Sequence, residues 1–471
     1  MSTSLYSITA DLKTGDTYLA SNNIYIAYGL NDIPTASVSV IPRTKEEAAS
    51  LQVLDKNLFK EMVISIGING QTKDIFNGYF VGAQTESSPV SATSVVTLNG
   101  GLYKLSQMSC ALLGFSVINS SDFNRILLKA GTAAGISTTQ QMESLTGSTM
   151  IDVFRGVLTL LFSYISSAMD QAQGSFSDVQ KSAENVAMAT LYKFHSQLNT
   201  SVIQSEFNKI ITSTALSPEK YNTISKEVKE SIIFQTATSP QSTFWDVLIS
   251  LCEIFQIVIG NSLGTTYAIP LSPVSDWTNF IYPDDIQSIS VSPFPLKLYT
   301  RCYFSTKGNI DFSSDIGGYG FYPPLSSAGE LTPLEKALGT IHILTYSLPG
   351  LAIYIEGNPS YKTLLDDIAK NHWIKESFKH RTASLQLRFY PSIHVGQVVG
   401  FLDTFFKKEY QGYVTRVVHH LNSDAGIATT SVTLQYVLSM DEKKYLGIDE
   451  SLGVSNPIYP SYKGDITTLF K

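Results

Sequence analysis

Charge is scarce in this sequence. Of 471 residues only 15% are Asp, Glu, Lys or Arg, against about a quarter in an ordinary globular chain. The three cysteines, Cys110, Cys252 and Cys302, are far apart and odd in number. That excludes a disulfide framework and a cysteine-type zinc site, and leaves each thiol to pack as a small apolar side chain. Long apolar runs are missing too. The most apolar stretch, 156–169, is 14 residues without a charge, and a bilayer span needs about 20. The start, MSTSLYSITADLK, has no basic segment followed by an apolar one, so no secretory signal is expected. The net charge of −7 without basic clusters argues against gripping nucleic acid by its phosphates.

Signatures of bond chemistry are equally sparse. There is no G-x-S-x-G, no G-x-x-x-x-G-K and no H-E-x-x-H. Gly317-Gly318-Tyr319-Gly320 lacks the strand-to-helix setting of a phosphate loop. His372 and His380 stand eight apart on one expected helix and share no tight face. His419 and His420 alternate across a strand and cannot chelate together. Asp284-Asp285 and Asp366-Asp367 are adjacent pairs, which do not establish the cleft-spanning separation of a glycosidase. No catalytic, cofactor or metal residues are assigned, and the chain is expected not to be an enzyme.

What the sequence does contain is hydrophobic content of 43% with 25 Tyr and 24 Phe, enough to build large cores. A low-charge surface rich in Tyr suits a chain packed against partners. Residues 1–110 read as a first β-barrel domain. Alternation over Ala36-Ser37-Val38-Ser39-Val40 and over 62–68 is followed by the hairpin dipeptide Asn69-Gly70, then by strands near 75–84 and 93–99. From about 121 to 235 the apolar period becomes 3.6, the mark of a helical insertion domain over 111–235. Residues 236–307 read as a helix followed by a hairpin (256–259 and 265–269) belonging with a second barrel. The stretch 308–360 is Gly/Pro/Ser-rich and reads as a surface excursion. Residues 361–440 begin with a helix to about 379 and continue as the second β-barrel domain, and 441–471 form an extended arm. The fold class expected is α+β, predominantly β.

A faint duplication runs through this plan. Phe76-Asn77-Gly78-Tyr79-Phe80-Val81 leads to Ser94-Val95-Val96-Thr97-Leu98. Tyr410-Gln411-Gly412-Tyr413-Val414-Thr415 leads to Thr430-Ser431-Val432-Thr433-Leu434. Upstream, 36–40 resembles Ala383-Ser384-Leu385-Gln386-Leu387. A glycine inside a strand marks a bulge or a close backbone approach, so Gly78 and Gly412 are candidates for one geometric role in two copies. The plainer reading is that any two strand pairs rich in Tyr, Val and Thr look alike. Tyr79, Phe80, Tyr410 and Tyr413 are candidate interface anchors, since Tyr is favoured at hot spots, and equally ordinary strand residues.

With these features the sequence resembles the central hub proteins of phage tail baseplates and related injection machines, the late control gene D and valine-glycine repeat spike hubs. The resemblance rests on 31–38 (Asn-Asp-Ile-Pro-Thr-Ala-Ser-Val), on 241–258, on Ser292-Pro293-Phe294-Pro295, and on 409–420 (Glu-Tyr-Gln-Gly-Tyr-Val-Thr-Arg-Val-Val-His-His). The helical block and the 308–360 stretch do not take part in it. It implies a homotrimer whose two barrels per chain make a pseudo-sixfold ring. Such a ring would adapt a hexameric tail tube protein to a trimeric spike or needle protein, in contact with other baseplate proteins and a tape measure protein. DNA would meet it only in transit, and no membrane anchor is implied. The location implied is the virion tail, after assembly in the host cytoplasm. The alternative is a tail-associated peptidoglycan hydrolase with the helical block as its catalytic domain.

Overall fold

The computed structural model describes residues 8–14, 17–41, 58–68, 71–87, 92–100, 102–107, 232–234, 257–262, 265–271, 277–292, 299–305, 319–323, 331–347, 351–353 and 359–445, with single residues near 44–49 and 243–274. The expected helices within 111–231 and the arm beyond 445 lie outside them.

Six strands open the chain: β1 (Ile8–Thr14), β2 (Thr17–Gly29), β3 (Thr35–Val40), β4 (Glu61–Ile68), β5 (Gln71–Ser87) and β6 (Ala92–Gly100), followed by the short helix α1 (Tyr103–Ser106). Their antiparallel ladders run β1–β4–β5–β6–β3–β2, and β2 returns to β1 through Asp11–Thr14 against Thr17–Ala20. The circuit of ladders therefore closes. Alternation drives the closure. Ala36, Val38 and Val40 of β3 point inward to meet Val96 and Leu98 of β6, and all five are buried. Burying a Val or Leu side chain stabilises by about 1.5–3 kcal/mol.

Next come β7 (Ile232–Phe234), the hairpin β8 (Ile257–Ser262) and β9 (Thr265–Pro270), β10 (Asn279–Ile281) and β11 (Ile286–Ser292), the last two joined by a 3-10 turn at Pro283–Asp285. Then follow β12 (Arg301–Ser305), β13 (Tyr319–Tyr322), α2 (Pro333–Leu338), β14 (Ile343–Ser347) and β15 (Leu351–Ile353). The chain continues with α3 (Pro359–Phe378), β16 (Thr382–Arg388), β17 (Val398–Asp403), β18 (Lys408–Asn422), β19 (Ile427–Ser439) and α4 (Met440–Tyr445). A second module has the ladder order β10–β17–β18–β19–β16–β11. Among the described residues no ladder joins β10 to β11, so this circuit is completed by the chain and not by hydrogen bonds.

Three sequence expectations need correcting. Residues 441–445, expected to open the extended arm, belong to helix α4, which Ser439 and Glu442 cap reciprocally. Ile232–Phe234, placed in the helical block, is a strand that pairs with β15. Its Ile-Ile-Phe composition suits a pleated surface better than a helix. The 308–360 stretch is also more than a surface excursion. It supplies β13 and β14, which sandwich β12 in a three-stranded sheet, and α2. Thr332 and Glu335 cap α2 reciprocally, and Glu335 accepts from two of the three guanidinium nitrogens of Arg301, Nε to Oε1 and Nη2 to Oε2, the latter at 2.8 Å. Arg301 and Glu335 are both buried. The Arg301 hydrogen bonds hold the Glu335 carboxyl below the ordinary carboxylate range. Helix α3 lies across this sheet, with Trp373 donating its indole N–H to the Tyr299 carbonyl at 2.7 Å.

The duplication is visible in the registers. Ala36 faces Leu98 and Val38 faces Val96, while Ala383 faces Leu434 and Leu385 faces Val432. Bulges recur as well. The β5–β6 ladder slips between Phe80 and Gly82, opposite Leu98 and Thr97. The β18–β19 ladder slips between Val414 and Arg416, opposite Leu434 and Thr433. The β2–β3 ladder slips between Ser21 and Asn23, and the β11–β16 ladder between Ile286 and Ser288. Bulges are built-in features that bend a strand and raise its twist, so two coincident pairs mark two copies of one module.

Candidate assembly interface

The two modules meet edge to edge. Arg416–Asn422 of β18 runs antiparallel to Asn23–Gly29 of β2 over seven residue pairs. The cores behind this seam are continuous: Ile24, Ile26 and Tyr28 join Val417 and Leu421 in one apolar cluster. At one end Leu30 donates its N–H to Thr415 O at 3.0 Å. There Asn31 clamps β8 by giving its N–H to Ile259 O and accepting from Ile259 N, both at 2.8 Å. At the other end Asn22 Nδ2 donates to Asp424 Oδ2 at 2.7 Å. Sequence reading found only a turn at Asn31. Its φ of +50°, a region Asn tolerates, is what aims both groups at β8.

His419 and His420 sit on opposite faces of the seam. His419 lies opposite Ile26 and is buried, with Nδ1 3.0 Å from Thr430 Oγ1 and edge contacts to Tyr28 and Phe389. Burial lowers its pKa to about 4, so at neutral pH it is an uncharged packing group. His420 lies opposite Tyr25, and its Nε2 is 3.1 Å from Asn23 Oδ1. Among the described residues no cluster of three or more His, Cys, Asp or Glu could hold a metal ion. Cys252 and Cys302 are buried, and burial raises both thiols, Cys302 to about 12. Cys110 lies outside the described residues. No described helix is long and apolar enough to cross a membrane.

The candidate residues separate by burial. Gly78 and Gly412 are both crowded. A Cβ at Gly78 would stand 2.9 Å from Asn99 O, and one at Gly412 would stand 3.0–3.2 Å from Leu434 and Val437. A side chain at either position would be crowded. Phe80, Tyr413 and Tyr79 are buried within the chain itself, and Lys104 Nζ covers the Tyr79 ring at 4.1 Å. Tyr410 is half-buried, stacked on Phe401. Among the described residues the most exposed aromatics are elsewhere, at Phe405 (85% exposed) and Phe406 (71%) on the β17–β18 hairpin tip and at Tyr282 (65%). Asp403 Oδ1 accepts from the N–H groups of both tip phenylalanines, at 3.0 and 3.1 Å, which fixes the tip. Two Phe followed by two Lys between alternating strands was the available signal.

No protein-family model and no curated protein sequence matches the chain. Several solved structures are similar to it. A tail protein from Neisseria meningitidis has a TM-score of 0.48 at 9% identity, covering 91% of this chain and 96% of that one. The 43 kDa tail protein of prophage MuSo2 from Shewanella oneidensis has a TM-score of 0.45 at 9% identity, over 91% and 97%. A prophage tail protein from Listeria monocytogenes has a TM-score of 0.43 at 9% identity, over 94% and 98%.

Proposed function

We propose that this chain is a structural hub of a phage tail baseplate, three copies of which form a pseudo-sixfold ring. The observation that carries the reading is the head-to-tail seam between two copies of one module. The modules share the ladder order of five strands, the register of 36–38 with that of 383–385, and two bulges, and they are joined by unlike edges, β2 of one and β18 of the other. Heterologous contacts of this kind either close into rings or run on as filaments. Three such chains give six modules on one side while keeping threefold symmetry in everything else they carry. A ring of that kind can seat a hexameric tail tube on the six-module face and a trimeric spike on the other, and its bore becomes part of the genome conduit.

Each chain brings a net charge of −7, which suits a bore that repels DNA phosphates so that the genome slides. Other baseplate proteins and a tape measure protein are the further partners in this reading. The chemistry required is recognition and support, without bond making. Native mass measurement of the purified chain is the test. A mass three times the 51.6 kDa chain supports the hub, and a monomer at every concentration overturns it.

A further inference from the structure

Superposing the module logic on itself assigns a second, intermolecular seam. The β18 segment 416–422 corresponds to Gly82 and the residues after it in β5, because Phe80 and Val414 share the same bulge and the same flanking bonds. Phe80 N–H donates to Lys60 O while its carbonyl accepts from Phe59, and Val414 N–H donates to Gln397 O while its carbonyl accepts from Gly396. Likewise the β2 segment from Asn23 corresponds to Ser288 and the residues after it in β11, through the bulges at Ser21/Asn23 and Ile286/Ser288. The pleat agrees: buried Ile24 and Ile26 correspond to Ile289 and Val291, which pack against the core from β11.

Within the chain, the β2 and β18 members of these pairs are joined. The other two segments are edges. Among the described residues, the ladder of β5 beyond Gly82 is to β6 alone, and that of β11 is to β16 alone. Natural edge strands are blunted by Lys, Pro or inward charge. Ile286-Gln287-Ser288-Ile289-Ser290-Val291 has no charge and no proline, and Gly82–Ser87 has only Glu86. Such edges are suited to pairing, and the seam inside each chain is a template for the pair they would make.

We infer that β11 of one protomer adds antiparallel to the Gly82–Ser87 edge of β5 in a second copy of this chain. The inferred register sets Thr85 opposite Val291, Glu86 opposite Ser290 and Ser87 opposite Ile289. This transfers the β18–β2 register, in which His419, His420 and Leu421 face Ile26, Tyr25 and Ile24. The inference rests on the ring reading above and deepens it by naming the strands that close the ring.

The test is oxidative cross-linking of the full-length chain. Opposite residues of an antiparallel pair have Cα atoms about 4.5–5.5 Å apart, within disulfide reach. The double variant Glu86→Cys with Ser290→Cys should give a covalent closed trimer on a non-reducing gel. Mixing the two single variants should give dimers only. The pair Gln84→Cys with Ser288→Cys is out of register by four residues, about 13 Å, and should not cross-link; thermal melts check that all variants fold. A trimer by mass without the Glu86–Ser290 bond, or with that bond formed inside one chain, overturns this pairing and leaves the hub reading standing. Cross-linked ladders beyond three support the pairing and overturn the trimer. A monomer at all concentrations overturns both.

Discussion

Phe59 and Gly396 hold the same place in the two modules. Each has a left-handed backbone, with φ of +61° and +83°. Each also donates its N–H to the residue that opens the shared bulge, Phe80 at 2.8 Å and Val414 at 2.7 Å. One copy meets the requirement with glycine, which adopts this region freely. The other forces phenylalanine into it and leaves the ring half outside the barrel, stacked on Tyr103.

Replacing Gly396 with Ala should destabilise the protein by about 1–3 kcal/mol. The positive φ carries most of that cost, since the new Cβ would meet the flexible end of Ile269 at 2.5 Å. Phe59→Gly should change stability by under about 1 kcal/mol, because relief of strain offsets the lost stacking. Urea midpoints of both variants check the contrast.

The two crowded strand glycines should not respond alike. Gly78→Ala drives a Cβ to within 2.9 Å of a backbone oxygen that cannot move without shifting β6. A loss of about 1–3 kcal/mol is expected. Gly412→Ala meets side chains at 3.0–3.2 Å and should cost less. Denaturant melts that rank them in the reverse order would remove close approach as the reason for Gly78.

Arg301 and Glu335 tie α2 to the small sheet as a buried pair. Removing one partner strands a charge, so Arg301→Met or Glu335→Gln should each cost about 3–5 kcal/mol. Replacing both with apolar residues of similar volume should recover much of that loss. A double-mutant cycle by chemical denaturation measures the coupling.

Acidification should weaken the module seam through His419. Its pKa in the fold is lowered from 6.5 to about 4 by burial. Between those values the unfolded chain binds the proton and the folded chain does not, so stability falls as pH drops from 6.5 toward 4. The slope is at most about 1.4 kcal/mol per pH unit for this group. His372, also lowered to about 4 by burial, adds to the same window. Melting curves of His419→Gln across pH 4–7 should be shallower than those of the wild type; an unchanged slope would discard His419 as a contributor.

Local pattern was enough to read most strands. Alternation at 36–40 and 383–387, and the paired Gly-Tyr segments, announced two related modules, because side-chain direction in a strand repeats every two residues and needs only its own sequence to be seen. The same locality explains what was missed. Ile232–Phe234 is too short for a period to declare itself, and β13 and β14 depend on β12 for their pairing. Tyr79, Phe80 and Tyr413 looked like anchors because residue type says nothing about which side of a barrel wall a ring faces.

By itself, then, the sequence determined a β-rich chain with repeated modules and alternating faces, all properties of residues close together along the backbone. Tertiary structure alone decided that Ile26 lies against His419, that Phe405 and Phe406 stand in solvent, and that bulges recur at matched sites. Those outcomes depend on which strand edges meet across hundreds of residues, where the backbone hydrogen bonds that make the contact are the same for every side chain and leave little trace in the order of amino acids.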